Sequence, residues 1–450
     1  MQGVVIDVLR TRELQRLRRI RQLGMAYFVF PGAEHSRLVH CLGASHLAIR
    51  FGLQLIESSR DFLTDLLLPN EVSIRDLAVA ALCHDLGHGP LSHAWEKEIV
   101  GENFDRSAWF KKLQIPEDET ELLKNAKWHE IVGHGLLAWK GGELHELLEH
   151  HEIGSSRRLR FLLRGKHYLP YLPGLLRGDI DVDRADFLRR DTHQTGVAYG
   201  RFDLDWLIST CTVGQTVTNK LVVGFDQRKG LRVVEQFLIA RRALYDTVYH
   251  HKTVHSAEGM IALFLKRLRE FVLGGGEVRV DAFVKPMIDM ISGLAVEPKD
   301  VLSLDDFAIW SLINEVTDAS ADSVLSDLGS RILTRNLFKM IPCTPDRVRE
   351  FMQNGDWHER LLAAIRPFCP GEPKYYLAVD YTSVSFFSSN HDEDSFLIDE
   401  NRLAIPMCEH EDLRGYAGKA NKMSRLFTLR EAVSAVKNII DPPPRGSVAR

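Results

Sequence analysis

The stretch CHDLGHGPLSH, Cys83 to His93, places three histidines and an aspartate within eleven residues of a chain that has 19 histidines among its 450 residues. Imidazole nitrogens and carboxylate oxygens bind divalent transition metals, and imidazoles transfer protons near neutral pH. The pattern therefore fits a metal centre with acid–base groups. A polar loop with a structural hydrogen-bonded pair is the alternative, and the dipeptide His84-Asp85 alone does not decide between them.

A helix must position this pair. The preceding segment SIRDLAVAALC has apolar residues at helical spacing, and Ser73 is its predicted N-cap, with Asp76 three residues later. The sequence LGHGP that follows contains two glycines and a proline, which end helices. We therefore expect His84 and Asp85 at a helix end, beside backbone that a substrate can approach closely.

Two further segments carry residues of the same types. His40 lies on another predicted helix, and the segment GDIDVDRADFLRRD spaces four residues at four-residue intervals along one helical stripe: Asp179, Asp183, Phe187 and Asp191. Carboxylates at that spacing repel each other, and a bound cation or a hydroxyl-rich ligand would relieve the repulsion. The alternative is a solvated acidic face near a helix N-terminus, helped by pairing of Asp186 with Arg190.

Composition excludes several classes of protein. The 57 basic and 61 acidic side chains give a net charge of −4, so there is no overall cationic field for binding nucleic acid or an anionic membrane. No segment approaches the roughly 18 to 20 apolar residues of a membrane span. The six cysteines are scattered without a CxxC pair, which favours a reducing, cytoplasmic setting.

The periodicity predicts a mainly α fold, because most segments up to about residue 270 have helical spacing of apolar residues. Strand signals are few. KLVVGF at 220–225 predicts one strand of a hairpin, and YYLAVDYTSVSFF at 375–387 is rich in β-branched and aromatic residues.

Seven stretches also occur in the order in which one known family has them: QRLRRIRQLG, FVFPGAEHSRLVHCLG, CHDLGHGPLSH, KWHE, DIDVDRADFLRRD, LYDTVYHHK and RNLFK. Together they resemble the HD-domain deoxynucleoside triphosphate triphosphohydrolases, the family that includes the sterile-alpha-motif-and-HD-domain dNTPase. The resemblance implies an HD-domain helical bundle with an N-terminal regulatory segment in residues 1–270. A smaller α+β C-terminal lobe in residues 271–440 would contribute to a regulatory site and an oligomer, and residues 441–450 would form a flexible tail. The compact layout, without a sterile-alpha-motif domain, resembles the bacterial members.

The resemblance implies that His40, His84, Asp85 and Asp183 are the metal ligands. This donor set suits Fe, Mn, Zn, Co or Ni better than Ca, while Mg would accompany the triphosphate. The implied reaction is attack of water on the α-phosphorus of a dNTP, which releases a deoxynucleoside and inorganic triphosphate.

The resemblance also implies acid–base and phosphate-binding groups. His129 and His93 are the acid–base residues, with Glu96 and Glu130 as the carboxylates beside them. Phosphate contacts are expected from five residues: Arg37, His88, His93, Arg184 and Lys252. In the family the position of Arg184 is usually Lys. His134, His145, His150 and His151 match no motif and are expected to be ordinary polar residues.

Sugar contacts follow from the same resemblance. Arg241, Tyr245, Tyr249 and Lys252 fall on one face of a predicted helix, for which an exposed amphipathic face is the alternative. In the family the residue matching Tyr249 leaves no room for a 2′-hydroxyl, and the match to Asp191 bonds the 3′-hydroxyl. The remaining substrate-binding residues that the resemblance implies are Gln22, Leu23, Phe187, which stands where relatives often have Tyr, and His251.

A second, regulatory nucleotide site is implied by residues that match it in part: Gln15, Arg18, Phe28, Val29, Phe30, Arg228, Lys229, Arg335 and Lys339. Arg335 and Lys339 are predicted to share one helix face, with a solvated basic face as the alternative. A dNTP or GTP-like activator and a homotetramer, or dimer of dimers, are expected. Arg10 stands where guanine-reading relatives have an acidic residue, which argues against a guanine-specific activator.

Two other functions remain open. An HD-type phosphodiesterase or nucleotidase would act on cyclic or oligomeric nucleotides, and a catalytically silent nucleotide sensor would bind without turnover. Nucleic-acid binding is not supported by the net charge. The biological role, dNTP pool control or antiphage defence, is not indicated by the sequence.

Overall fold

A computed structural model describes residues 2–91, 95–96, 104–152, 154–341, 343–353, 355–384, 386–387, 395–416 and 421–440 of the chain. These residues form a mainly α fold with small β elements, as predicted. The α-helices of this described part are α1 (Gln2–Arg10), α2 (Arg12–Arg16), α3 (Arg37–Ser59), α4 (Glu71–Cys83), α5 (Arg106–Lys112), α6 (Trp128–Ala138), α7 (Glu143–His151), α8 (Ser155–Leu163), α9 (Gly174–Arg177), α10 (Val182–Thr195), α11 (Leu204–Ser209), α12 (Gln227–Leu244), α13 (Lys252–Leu273), α14 (Lys285–Ile291), α15 (Pro298–Val301), α16 (Asp306–Ala319), α17 (Ser323–Leu333), α18 (Pro345–Gln353), α19 (Gly355–Ile365) and α20 (Val433–Ile440).

Two small sheets accompany the helices. Their strands are β1 (Cys211–Gln215), β2 (Leu221–Asp226), β3 (Lys339–Ile341), β4 (Leu377–Val384), β5 (Phe396–Ile398), β6 (Ala404–Pro406) and β7 (Asn421–Thr428). One sheet has the order β1-β2-β5-β6, in which β1 and β2 form the predicted antiparallel hairpin and β5 joins β2 in parallel. The other has the order β3-β7-β4 and contains the strand predicted within 375–387.

The N-terminus of α4 differs from the prediction. The N-cap is Asn70, whose side-chain oxygen accepts a hydrogen bond from Ser73 N at 2.9 Å, while Ser73 Oγ accepts one from Asn70 N at 2.8 Å. The predicted N-cap, Ser73, is therefore the third residue of the helix, since its hydroxyl completes a reciprocal capping box. The other end is as expected: α4 ends at Cys83, and His84 is its C-cap.

Two glycines allow the helices that carry site residues to pack closely. A Cβ at Gly43 of α3 would fall 1.8 Å from Asp186 Oδ1, and a Cβ at Gly87 would fall 1.9 Å from the carbonyl oxygen of His129. A side chain at Gly87 would meet the backbone of α6 and push it away from the loop after α4, whereas a side chain at Gly43 would displace the Asp186 carboxylate and the Arg190 guanidinium on α10. These contacts bring α3, α4, α6 and α10 together.

Two apolar cores pack around these helices. One contains residues of α2, α4, α6 and much of the chain after residue 284, whereas the other contains residues of α3, α10, α12 and the first sheet. The expected boundary near residue 270 lies inside α13, and β5 returns to pair with β2. No helix among the described residues has the length and apolar character to cross a membrane.

Arg16 links three parts of the chain. Its guanidinium is fully buried and donates to the carbonyl oxygens of Leu86 at 3.1 Å, His88 at 2.5 Å and Leu304 at 3.1 Å. Because two of these carbonyls belong to the loop after α4, the loop is fixed both to the N-terminal segment and to the residues that precede α16.

Candidate active site

Three side chains from three helices converge on one point. His40 Nε2 lies 3.3 Å from His84 Nε2 and 2.9 Å from Asp183 Oδ1, and His84 Nε2 lies 3.5 Å from the same carboxylate oxygen. Two imidazole nitrogens and a carboxylate oxygen this close form a donor set for one divalent transition metal ion. The residues present therefore fit a metal.

Asp85 faces the same point but has another partner. Its Oδ1 lies 3.3 Å from His84 Nε2 and its Oδ2 lies 4.0 Å from His40 Nε2, while Arg37 Nη1 donates to Oδ2. Although burial would raise the pKa of Asp85, the Arg37 charge and the neighbouring imidazoles hold it well below its ordinary value. Asp85 is thus an ionised carboxylate available to a cation.

The far side of each imidazole is held by a hydrogen bond. His40 Nδ1 lies 2.8 Å from Asp186 Oδ2, and Arg190 donates to both oxygens of Asp186 at 2.7 and 2.8 Å. His84 Nδ1 lies 2.7 Å from the carbonyl oxygen of Ala81. Because both acceptors require Nδ1–H donors, each Nε2 points to the shared site and is the atom that would bind a metal in place of a proton. The sequence pattern indicates Asp186 only as a partner of Arg190, although its position three residues after Asp183 is the helical spacing that places it beside His40.

Ionisation at this cluster is strongly coupled to its carboxylates. Burial would lower the pKa of His40, but hydrogen bonds with Asp183 and Asp186 raise it to about 10. Burial would likewise raise the pKa of Asp183, which the two histidines hold far below its ordinary value. The site therefore attracts positive charge.

A second group lies around His129 on α6. His129 Nδ1 is 2.9 Å from Glu96 Oε2 and 3.1 Å from Oε1, and its ring stacks on His88 with centroids 4.0 Å apart. His88 Nε2 also lies 3.3 Å from Asp85 Oδ1. Burial, Arg37 and His129 lower the pKa of His88 well below its ordinary value, so its ring is neutral at pH 7. The other expected acid–base residue, His93, lies outside the described residues.

Glu130 is engaged elsewhere. Its Oε2 accepts from Lys127 N at 2.7 Å and its Oε1 accepts from Arg164 Nη2 at 2.7 Å. Burial would raise the pKa of Glu130, but the Arg164 pair lowers it to about 2. Of the two carboxylates expected beside His129, Glu96 therefore contacts its ring, and Glu130 caps the start of α6.

We call His40, His84 and Asp183 the metal-ligand cluster, because they are the candidate metal ligands. A cavity of about 640 Å³ connects this cluster with most of the expected substrate-binding residues. The expected residues among its lining are Gln22, Leu23, Arg37, Arg184, Phe187, Asp191, Tyr245 and Tyr249, together with His84, Asp85, His88, His129, Glu130 and Asp183.

Asp191 and Tyr249 are joined within this pocket. The Tyr249 hydroxyl donates to Asp191 Oδ2 at 2.6 Å, and His35 Nε2 lies 2.9 Å from Asp191 Oδ1. Phe187 packs edge-on against Tyr249, with ring centroids 6.0 Å apart. Burial and the Asp191 charge raise the pKa of Tyr249 well above its ordinary value, so it remains a donor. His35 belongs to the matching stretch before α3 but was not selected from the sequence.

The predicted single helix face from Arg241 to Lys252 is wrong. α12 ends at Leu244, a π-helical turn covers Tyr245–Tyr249, and α13 begins at Lys252. The wider turn inserts an extra residue per turn and rotates the register, so that Lys252 faces a different cavity from Tyr249.

Three expected substrate-binding residues are not among the lining of the large pocket. Arg241 Nη1 lies 3.7 Å from Asp179 Oδ1, and the His251 side chain accepts a hydrogen bond from Thr253 N at 3.2 Å. Lys252 lines a second cavity of about 350 Å³. Arg184 does line the large pocket, and it donates to Asp181 Oδ2 at 2.7 Å and to the Gly178 carbonyl.

The second cavity is lined by four cationic side chains. Lys252, Arg335, Lys339 and Arg430 line it, together with Thr253, Leu337, Phe338 and Met340. Arg335 and Lys339 do not share a helix face as predicted, because α17 ends at Leu333, Arg335 has a φ of 56° and Lys339 begins β3. The left-handed residue turns the chain, and Arg335 Nη2 donates to the Phe28 carbonyl at 2.7 Å.

The other residues expected at a regulatory site lie apart from this cavity within one chain. Gln15 Nε2 donates to the Leu9 carbonyl at 2.6 Å and Gln15 Oε1 accepts from Arg18 at 2.7 Å. Arg228 lies 3.8 Å from Glu400, and Lys229 N donates to Asp226, the N-cap of α12. Val29 and Phe30 pack against the apolar core beside Phe28.

Further pocket residues were not selected from the sequence. His250, His255 and Glu258 follow the π-helical turn, and residues 380–382 of β4 close part of the wall. The strand signal in YYLAVDYTSV predicted β4 itself, but nothing local indicated that a strand some 200 residues after α10 would reach this pocket.

Known proteins resemble this chain in sequence and in fold. No family model matches the chain. It is 28% identical over 437 residues to the uncharacterized protein YwfO of Bacillus subtilis, covering 96% of this chain and 86% of YwfO. It is 29% identical over 267 residues to the deoxynucleoside triphosphate triphosphohydrolase SAMHD1 of Gallus gallus, covering 57% of this chain and 42% of that protein. The crystal structure of a phosphohydrolase from Bacteroides thetaiotaomicron has the same fold, with a TM-score of 0.72, 23% identity and 96% coverage of both chains.

Proposed function

We propose that this chain, a homologue of HD-domain deoxynucleoside triphosphate triphosphohydrolases, hydrolyses dNTPs to a deoxynucleoside and inorganic triphosphate with the help of a divalent transition metal. The observation that carries the proposal is the convergence of His40, His84 and Asp183 at one end of a pocket that also holds the Asp191–Tyr249 pair. Nothing in the donor set selects among Fe, Mn, Zn, Co and Ni.

A metal held by His40, His84 and Asp183 would supply Lewis-acid chemistry, polarising a phosphoryl group and lowering the pKa of water. Around it, Arg37 and the neutral His88 ring offer donors to phosphate oxygens. Arg184 adds a fixed positive charge, which the acidic groups around it stabilise by raising its pKa.

In this proposal His129 protonates the leaving 5′-oxygen. Glu96 accepts from Nδ1, which orients the ring and leaves Nε2 to hold the transferred proton. Glu130 supports the arrangement only by fixing the first turn of α6.

The Asp191–Tyr249 pair is the sugar-recognition element. Asp191 Oδ2 accepts a hydrogen bond now made by Tyr249 and can accept one from a 3′-hydroxyl, while the Tyr249 ring occupies the space beside it. Tyr249→Ala is expected to raise the relative turnover of ribonucleoside triphosphates about tenfold or more. Tyr168→Ala, an exposed tyrosine outside the pocket, is the control. An unchanged ribose-to-deoxyribose ratio in Tyr249→Ala would refute the steric role.

Regulation by a second nucleotide is part of the proposal. Lys252, Arg335, Lys339 and Arg430 place four cations around one cavity, which suits a triphosphate. Arg10 is exposed, with Asp7 3.7 Å away, and offers no acidic group for reading guanine. A homotetramer or dimer of dimers would bring further copies of the regulatory residues together.

The test is turnover of each dNTP, alone and in pairs, with a panel of divalent metals, followed by phosphorus NMR. Intact inorganic triphosphate is the expected product, and pairs that activate where single dNTPs do not would reveal the regulatory site. Release of orthophosphate alone, or cleavage of cyclic or oligomeric nucleotides without dNTP turnover, would instead establish the phosphodiesterase or nucleotidase alternative.

A further inference from the structure

Three cationic side chains line the large pocket and have no role in the catalytic steps proposed for it. Lys127 is the N-cap of α6, Arg164 is the C-cap of α8, and Arg177 is the last residue of α9. Lys127 is exposed, whereas the Arg164 side chain is only 12% exposed. We call these three residues the cation wall.

Glu130 and close packing hold the cation wall together. Arg164 Nη2 donates to Glu130 Oε1 at 2.7 Å, and the backbone N–H of Lys127 donates to the other oxygen of this carboxylate at 2.7 Å. Arg177 Nη1 lies 3.6 Å from the point where a Cβ on Gly165 would stand, so its guanidinium lies beside the residue that follows Arg164. The start of α6, the end of α8 and the end of α9 therefore meet at one end of the pocket.

The pocket follows α10 from the cation wall to the sugar-recognition element. Arg177 precedes α10, and Asp183 of the metal-ligand cluster lies in the first turn of this helix. Asp191 follows Asp183 by eight residues, or about 12 Å of helix. The metal-ligand cluster therefore lies between the cation wall and the Asp191–Tyr249 pair.

A series of contacts joins the metal-ligand side of the pocket to the cation wall. His88 Nε2 lies 3.3 Å from Asp85 Oδ1, and the His88 ring stacks on that of His129. His129 directly precedes Glu130, the partner of Arg164. The cation wall thus continues the row of groups that are proposed to contact phosphate oxygens.

The charges of the lining differ between the two ends of the pocket. Every lysine and arginine among the described lining residues precedes Phe187 in the chain: Arg37, Lys127, Arg164, Arg177 and Arg184. The described lining residues after Phe187 include no lysine or arginine, and their carboxylates are Asp191, Glu258 and Asp380. A polyanion whose sugar lies beside Asp191 is therefore drawn towards the cation wall.

We propose that the cation wall binds the terminal phosphate of the substrate and thereby selects triphosphates over shorter phosphate chains. The inference rests on the proposed function, in which the sugar lies at Asp191 and Tyr249 and the α-phosphorus at the metal-ligand cluster. With these two parts in place, the β- and γ-phosphates extend past the cluster to the cation wall. A monophosphate keeps the sugar and α-phosphate contacts but does not extend that far.

The chemistry of the three side chains suits a phosphate group. A guanidinium can donate two parallel hydrogen bonds to phosphate oxygens, and a lysine adds a compact charge. Loss of one charge-assisted contact corresponds to about a tenfold change in affinity.

Binding of two matched, unreactive ligands tests this role. One is a deoxyadenosine triphosphate analogue in which a methylene group replaces the 5′-oxygen, so that the bond cleaved in the proposed reaction is absent. The other is the same analogue with a single phosphate group. Their dissociation constants are measured with Mn²⁺-loaded protein that carries Arg335→Gln and Lys339→Gln, because these changes remove two of the four cations of the second cavity.

Variants in this background locate the effect. Lys127→Gln and Arg177→Gln are each expected to weaken binding of the triphosphate analogue about tenfold and to leave binding of the monophosphate analogue unchanged. Lys124→Gln is the control for Lys127→Gln, because this exposed lysine pairs with Glu121 and is not among the pocket lining. Circular dichroism checks the fold of each protein, and the exposed Lys127 provides the test if Arg177→Gln does not fold.

The outcomes separate this inference from the proposed function. If neither Lys127→Gln nor Arg177→Gln changes the ratio of the two dissociation constants, the cation wall does not bind the terminal phosphate, even where wild-type protein releases triphosphate from dNTPs. A selective loss of triphosphate affinity in either variant, with Lys124→Gln unchanged, supports the inference. That support holds even where wild-type protein hydrolyses no dNTP, a result that would overturn only the hydrolytic function.

Discussion

Two of the histidine–carboxylate clusters among the described residues differ in their access to the large pocket: the metal-ligand cluster opens to it, and the cluster of His134 and Glu119 is not among its lining residues. At the metal-ligand cluster, Asp183 is 36% exposed and two imidazole Nε2 atoms share its Oδ1. In the second cluster, His134 Nε2 lies 2.7 Å from Glu119 Oε2, and Arg160 donates to both oxygens of Glu119 at 2.7 and 2.8 Å. The side chains of these three residues are at most 6% exposed.

Arg160 is what distinguishes the second cluster from the first. Its guanidinium supplies the positive charge that the first cluster would take from a bound cation, and its Nη1 donates to Ser156 Oγ at 2.6 Å. The Glu119 oxygens are thereby satisfied, and no converging lone pairs remain for an ion. A histidine beside a carboxylate is therefore weak evidence for a metal, whereas donor atoms left pointing at one shared, accessible spot are strong evidence.

The largest expected effect comes from removing a ligand of the open cluster. Asp183→Ala is expected to lose bound metal and to lower dNTP turnover at least about a thousandfold, because the Lewis acid is no longer held. Metal content by plasma mass spectrometry, turnover and circular dichroism measure this. Asp205→Ala, which removes an exposed carboxylate paired with Arg50, is the control. Full turnover in Asp183→Ala would contradict the ligand assignment.

Substitutions in the second cluster, which we call the closed cluster (His134, Glu119 and Arg160), are expected to change stability rather than turnover. Glu119→Gln leaves Arg160 buried without an anionic partner and is expected to lower the free energy of unfolding by about 3 kcal/mol, with turnover per folded molecule retained. The neighbouring Asp118 pairs with Arg157 at the surface, where both side chains are more than half exposed. Asp118→Asn is therefore expected to change stability by less than about 0.5 kcal/mol. Urea unfolding compares the two, and equal effects would remove the distinction between a buried and an exposed pair.

Asp186 offers an intermediate case, since it contacts the proposed metal ligand His40 on the side away from the proposed metal site. Asp186→Asn is expected to weaken metal affinity about ten- to a hundredfold through loss of the His40 orientation, with the fold retained. Asp327→Asn is the matched control, because Asp327 forms the same i,i+4 pair with Arg331 and contacts no metal ligand. Competition with a metal chelator measures the affinity, and identical behaviour of the two variants would limit Asp186 to its ion pair with Arg190.

The smallest effect is the pH dependence of the closed cluster. Burial would raise the pKa of Glu119, but its bonds with Arg160 and His134 lower it from an ordinary 4.5 to about 2. A depressed carboxyl pKa stabilises the fold fully above the unfolded value and loses that contribution as pH falls through the folded value. The stability difference between wild type and Glu119→Gln should therefore be constant above about pH 4.5 and shrink towards pH 2. A difference that grows on acidification would contradict this.

The sequence predicted those parts of the site that lie within one local pattern. Helical periodicity predicts α4 and the position of His84 at its end, and the order of the matching stretches is enough to select His40 and Asp183. The hairpin of β1 and β2 follows from β-branched residues around a polar turn.

What the sequence did not predict depends on distant contacts. Arg160 contacts Glu119 across 41 residues of sequence, and Asp380 on β4 contacts His255 on α13. Neither pairing produces a periodic pattern in the sequence. The spacing of apolar residues also does not predict the π-helical turn at Tyr245–Tyr249. One extra residue per turn changes which side chains share a face, while the composition stays that of a helix.

The buried guanidinium of Arg16 has a consequence for synthesis on the ribosome. Its acceptors at Leu86 and His88 emerge early, whereas Leu304 follows His88 by 216 residues. A nascent chain that extends past Asp183 but not to Leu304 holds every proposed metal ligand and lacks the third acceptor, so the Arg16 guanidinium stays incompletely paired and the loop after α4 is less firmly held. Completion of the proposed catalytic loop is thus a late event of translation.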